Sequence, residues 1–169
     1  VAHSFPTRRS SDLAVALTTS ASGRIWAAGS HQDTAATMYL ENGRWIKQLH
    51  PELLDGIDYR SLYAGNDSTV WIGCGSIDAL SLIEGGVKWY DETEKEWHIL
   101  KHPLVLPRAA GLASTTDDTM WHGGTLLKCF TDSAICDVEI PVALQSSWID
   151  HLIGTQDGDL WVGKGGKGV

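Results

Sequence analysis

The sequence is short of positive charge, of phenylalanine and of long apolar runs. Lys and Arg number 13 against 21 Asp and Glu in 169 residues, a net charge of −8. Nucleic-acid and anionic-membrane surfaces need clustered Lys and Arg, so neither partner is expected. No apolar stretch approaches the ~20 residues of a membrane-spanning helix, so no membrane contact is expected of this segment. Chemical signatures are missing as well. The seven His form no His-Glu-x-x-His and no zinc-finger spacing with Cys. No Ser sits in a Gly-x-Ser-x-Gly elbow. Gly163–Gly168 has the composition of a phosphate loop without its order. The carboxylates are numerous but scattered, and no pair can be nominated from spacing. These absences predict no catalytic residue, no metal and no cofactor.

What is present is glycine and tryptophan. Gly makes up 18 of 169 residues, and eight Trp stand against two Phe. That combination suggests tight turns repeated around large flat packing units. The 43% hydrophobic fraction excludes a disordered chain, and the length suffices for one domain with a sizeable core.

Four segments align: Ser22-Gly-Arg-Ile-Trp26-Ala-Ala-Gly29, Asp67-Ser-Thr-Val-Trp71-Ile-Gly73, Asp117-Asp-Thr-Met-Trp121-His-Gly123 and Asp157-Gly-Asp-Leu-Trp161-Val-Gly163. Each runs from a small or acidic turn through an apolar residue and Trp to a small residue. The spacing between successive Trp is 40–50 residues, the period of a propeller blade. A short strand rich in small residues precedes each motif, as the crowded centre of a ring demands. The expected blades are 14–50, 59–100, 109–141 and 149–169. The fourth has only its first two strands. The Asn42-Gly43 pair marks a hairpin between Thr37–Leu40 and Trp45–Leu49. The fold class is therefore all-β: a partial β-propeller of about three four-stranded blades and half a fourth, in an open arc.

The segment Thr155–Val169, with Asp157-Gly-Asp-Leu-Trp161-Val-Gly163 at its heart, resembles the two-component regulator propeller repeat. The second segment keeps Trp71-Ile-Gly73, and the other two are degenerate. The resemblance covers about residues 14–169. It implies a ligand-sensing propeller in the periplasmic or extracytoplasmic part of a signalling protein, often a hybrid histidine kinase responding to glycans. The partners it implies are a glycan or other small ligand, the remaining blades and an output domain. Two alternatives stand beside it. One is an enzyme propeller of sialidase-like or streptogramin-lyase-like type; the other is a protein-binding scaffold. Ser114–Trp121 is superficially like a sialidase Asp-box, but Asp118 stands where Gly belongs.

The four repeat tryptophans, Trp26, Trp71, Trp121 and Trp161, are expected to pack between blades. Trp45 and Trp97 occupy matching last strands and are expected to pack too. Trp89 and Trp148 break the repeat, and Trp148, in a connection between blades, is a candidate ligand platform. The loops after each last strand and each Trp strand share one face of a propeller. By that position His31, Asp33, Asp78, Arg108 and Trp148 are the candidate ligand-binding residues. His50-Pro51 and His102-Pro103 mark equivalent connections. Asp67, Asp117 and Asp157 are turn residues, and Asp91–Glu96 is expected to be a solvated hairpin tip.

With a four-residue tip at Thr131–Ala134, Phe130 is expected opposite Ile135 and Cys129 opposite Cys136 across a strand pair, within reach of a disulfide. Two packed thiols satisfy the same placement. Residues 1–13 break from the rest in composition and resemble a translated sequencing-adapter read-through, so they are expected to add no strand. The chain is expected to be a piece of a longer protein, and its end blades are expected to leave Trp26 or Trp161 more exposed than Trp71 or Trp121.

Overall fold

The structure, a computed structural model, describes residues 12–53, 57–65, 67–74, 87–100, 111–115, 119–124, 127–131, 135–136, 141–142 and 148–164. Four antiparallel sheets follow one another along the chain. Sheet 1 holds β1 (Asp12–Thr19), β2 (Ile25–His31), β3 (Thr34–Glu41) and β4 (Arg44–Leu49), in that spatial order. Sheet 2 holds β5 (Ile57–Ala64), β6 (Thr69–Cys74), β7 (Val87–Asp91) and β8 (Glu96–Leu100). Sheet 3 holds β9 (Gly111–Ser114), β10 (Met120–Gly123), β11 (Lys128–Phe130) and β12 (Ile135–Cys136), and sheet 4 pairs β13 (Ile149–Gly154) with β14 (Leu160–Lys164). The first strands β1, β5, β9 and β13 approach one another in series, so they line the inside of the stack. This is the blade order that the repeat predicts.

Several boundaries differ from expectation, β5 among them, which begins at Ile57 rather than Tyr59. β1 begins at Asp12, and the backbone of Asp12 and Leu13 pairs with His31 and Ser30. The ladder is set by backbone groups, which any non-proline residue supplies, so the compositional break does not end the strand. The leader of unlike composition therefore contributes its last two residues to sheet 1; residues 1–11 lie outside the described residues. β3 begins at Thr34 rather than Thr37, which leaves a two-residue turn at Gln32 and Asp33 with φ of 50° and 55°. The Asn42-Gly43 turn, with φ of 50° and 74°, is as the dipeptide predicts.

The core lies between sheets, and it has a direction. Trp26 is fully buried and packs forward onto Val70, Tyr90 and Trp97 of sheet 2. Trp71 packs forward onto Leu112, Met120 and Phe130 of sheet 3. Trp121 packs against the cluster that Ile149 and Leu152 of sheet 4 form with Ala113 and Leu127, which Leu160 and Val162 also join. Each indole buries about 150–250 Å², which at about 25 cal/mol per Å² contributes ~4–6 kcal/mol of transfer free energy. Trp161 repeats the geometry with no sheet ahead of it among the described residues and is 59% exposed. Of the two end tryptophans, it is thus Trp161 that is uncovered. Trp45 departs from expectation: it is 40% exposed, whereas its counterpart Trp97 is covered by sheet 1. The reason is positional. A last-strand Trp faces the preceding sheet, and among the described residues no sheet precedes sheet 1.

Trp89, which broke the repeat, lies opposite Trp71 in the β6–β7 ladder and stacks on it at 4.7 Å. His98 stacks on the other side of Trp89 at 5.1 Å, so three rings run across sheet 2. Gly154 is required by the approach of sheet 4 to sheet 3. A Cβ there would stand 1.7 Å from the backbone oxygen of Ser114.

Candidate functional site

The meander puts the turns β1–β2, β3–β4 and β7–β8 on one face of the stack. The β2–β3 turn and the connections between sheets lie on the other. His31, Asp33 and Trp148 all belong to this second face, as the loop order predicts. His31 ends β2, and its Nε2 lies 2.9 Å from Lys47 Nζ on β4, the outermost strand. Asp33 is exposed in the two-residue turn, in a left-handed conformation. Trp148 is half-buried at the entry to β13, next to Ile149, whose amide donates to the Gly124 oxygen at 2.8 Å. Asp78 and Arg108 lie outside the described residues.

The same face carries a cluster that spacing alone did not assemble. After β4 the chain turns inward: the His50 amide donates to the Ala35 oxygen at 2.7 Å, and Leu53 is fully buried at the end of a 3-10 turn, Pro51–Leu53. This drives the His50 ring between sheets 1 and 2. Its Nε2 lies 2.8 Å from Thr37 Oγ1 and its Nδ1 lies 3.3 Å from Lys88 Nζ. Lys88, buried on β7, also makes an ion pair with Glu52 and stands 5.2 Å over the Trp97 ring. Trp97 meets His50 edge-on at 4.5 Å and donates its indole N–H to Gln48.

Charge within this cluster is tightly set. Burial, followed by the Lys88 ammonium, lowers the His50 imidazole from 6.5 to about 4, so it is neutral at pH 7. Burial raises the Glu52 carboxyl, but the hydrogen bond and charge of Lys88 outweigh it and leave the group below its ordinary value. The Glu52 side chain is 32% exposed, so the pair opens to solvent on its carboxylate side.

The opposite face carries a clasp instead. Glu92 bridges sheet 2 to sheet 1: its Oε1 accepts from Trp26 Nε1 at 3.0 Å and from Arg24 at 3.3 Å. Arg24 also reaches Glu41 at 3.2 Å and lies 4.7 Å over Tyr39. The Asp91–Glu96 tip is therefore not all solvated, because the Glu92 side chain is 4% exposed. An indole N–H buried between sheets needs an acceptor, and Glu92 supplies it. The next indole is satisfied differently. Trp71 Nε1 donates to Thr69 Oγ1 at 2.7 Å, which donates to Asp67 Oδ1 at 2.5 Å, so Asp67 acts in the turn as expected.

Cys129 and Cys136 are cross-strand partners, as the tip length predicts. Both are free thiols, and Cys129 Sγ donates to the Cys136 oxygen at 3.7 Å. Burial, then the hydrogen bond with Cys136, pushes the Cys129 thiol up to about 12. Among the described residues, no three His, Cys, Asp or Glu side chains are grouped to hold a metal ion.

No protein-family model matches the chain, and no curated protein matches it. Solved structures do. Virginiamycin B lyase of Staphylococcus aureus, in a selenomethionine-substituted form, superposes with a TM-score of 0.64 at 14% identity, over 86% of this chain and 47% of the lyase. A catalytically inactive His-to-Ala form of that lyase with quinupristin gives a TM-score of 0.61 at 16% identity, over 88% of this chain and 48% of the lyase. The fold is thus that of about half a β-propeller, and the chain spans about half the length of these relatives.

Proposed function

We propose that this chain is the ligand-sensing segment of a propeller in an extracytoplasmic sensor of a two-component signalling protein. Its binding face is the one carrying His31, Asp33, Asp78, Arg108 and Trp148, and a glycan is the candidate ligand. The reading rests on the repeat pattern around Trp161 and on one observation: a half-buried Trp148 shares a face with a Lys88–Glu52 pair open to solvent at its carboxylate. An aromatic ring offers a sugar an apolar surface, and a carboxylate accepts from hydroxyls. No reaction is assigned to the chain, and any kinase activity belongs to another part of a longer protein. The purified chain, titrated calorimetrically with a panel of neutral and acidic oligosaccharides, is expected to bind at least one. Trp148→Ala is expected to weaken that binding about tenfold or more, the scale of one aromatic contact, while Trp45→Ala leaves it unchanged. Failure of every oligosaccharide to bind removes the glycan.

A lyase reading draws on the shape shared with virginiamycin B lyase. Incubation with quinupristin, followed by chromatography, separates the two: conversion of quinupristin by the chain favours the enzyme, and its recovery intact favours the sensor.

A further inference from the structure

The geometry points to a reversible dithiol–disulfide pair at Cys129 and Cys136 that locks the outer edge of sheet 3, with a small disulfide of the glutathione class as its oxidant. The two residues stand directly opposite one another in the β11–β12 ladder. Partners in such a ladder lie ~4.5–5.5 Å apart at Cα, inside the ~4.4–6.8 Å that a disulfide spans, so the bond needs no change of register. Opposite residues project from the same side of a sheet. The Cys129 thiol already turns toward its partner and reaches the Cys136 carbonyl oxygen at 3.7 Å.

The two thiols differ in access, and this sets the order of reaction. Cys129 is 1% exposed on β11, which lies between β10 and β12. Cys136 is half-buried on β12, the outermost strand of the sheet. A thiol attacks as its thiolate, and burial keeps Cys129 protonated. Cys136 therefore attacks first. Its sulfur breaks the S–S bond of the small disulfide, releases one thiol and forms a mixed disulfide. The sulfur of Cys129 then attacks that of Cys136 and displaces the second small thiol, which takes up the Cys129 proton. Two protein thiols become one disulfide while one small disulfide becomes two thiols, and no further reactant is needed.

The bond falls where a tie has most to hold. Among the described residues β12 is the shortest strand, Ile135–Cys136, and two ladder pairs join it to β11. So short an edge opens readily while the thiols are reduced. The effect reaches beyond the edge. On its other side Cys129 pairs with Trp121 of β10, and the next residue, Phe130, lies with its ring 5.7 Å from that of Trp71. Oxidation thus fixes the strand on which the Trp71 junction between sheets 2 and 3 rests.

The test equilibrates the full chain with glutathione and glutathione disulfide, from reducing to oxidising ratios, then alkylates it and maps the bonds by mass spectrometry. At the oxidising end the expected product is an intramolecular Cys129–Cys136 bond that excludes Cys74, and dithiothreitol returns both thiols. Amide hydrogen exchange over 128–136 is expected to slow about tenfold or more in the oxidised chain, the scale of one added cross-link. Cys129→Ser is expected to stop at the mixed disulfide on Cys136, whereas Cys136→Ser leaves Cys129 unmodified over the same time. The exchange comparison uses the unaltered chain, so it decides the matter even where a variant fails to fold. Cys129 and Cys136 still reduced at the most oxidising ratio, a bond from either to Cys74, or equal exchange in the two forms overturns the inference.

Discussion

Three side chains decide most of the chemistry buried between sheets 1 and 2: His50, Lys88 and Glu92. His50 has an ordinary value of 6.5 and about 4 in the fold, lowered by burial and then by Lys88, with Glu52 opposing. The unfolded chain therefore takes up a proton before the folded chain does. The contribution of His50 is fully present above pH 6.5, falls as pH drops below it, and is gone below about pH 4. A shift of that size amounts to about 3 kcal/mol. Urea unfolding at a series of pH values should show this fall, and His50→Gln should flatten the pH 4–6.5 part of the curve. In Lys88→Met, histidine NMR titration should find His50 raised, yet still below its ordinary value because burial remains. An unchanged His50 titration would show that Lys88 does not act on it. At Cys129, whose thiol burial raises to about 12, iodoacetamide should react slowly until the chain is denatured. Part of this was legible. His50 before Pro51 identified a connecting segment, and Cys129 opposite Cys136 followed from the tip. The Lys88 contact, 38 residues away, joins two sheets and leaves no local pattern. Glu92 was hidden for the same reason: its neighbours in sequence are charged, while its partners Arg24 and Trp26 lie on another sheet.

Strands and turns carry the repeat, and here the sequence spoke more clearly. Branched or small residues around each Trp located all four Trp strands, and Asn42-Gly43 located a hairpin. Gln32-Asp33 makes a turn of the same left-handed kind without the favoured residues, so nothing announced it. A non-glycine residue at positive φ is strained, so Asp33→Gly should stabilise the chain by roughly 0.5–1 kcal/mol in thermal unfolding. A clear loss of stability would mean that the Asp33 side chain holds the turn. Gly154 makes the opposite case. Its Cβ would collide with the Ser114 backbone oxygen at 1.7 Å, and a backbone atom cannot swing aside. Gly154→Ala should cost about 1–3 kcal/mol by forcing sheets 3 and 4 apart. A neutral effect in denaturant melts would contradict so close an approach of β13 to β9.

For the whole molecule, one chain of junctions carries the stability, each joining a forward Trp to the next sheet. Stability in such an array is roughly a sum of neighbour interfaces. The 40–50 residue period foretold the number of sheets. It could not foretell which Trp would be covered, since coverage depends on what stands ahead of or behind each sheet. Trp45 shows this: its place in the repeat equals that of Trp97, yet it lies open. Trp71→Ala should therefore cost about 3–5 kcal/mol, while Trp45→Ala in dilute solution should cost less than ~1 kcal/mol. The most direct test of this directional packing is oxidative footprinting of the tryptophans in dilute solution, read residue by residue by mass spectrometry. The account predicts fast oxidation at Trp161 and Trp45 and strong protection at Trp26 and Trp71, and equal reactivity at all four, or a fast-reacting Trp26, would contradict it.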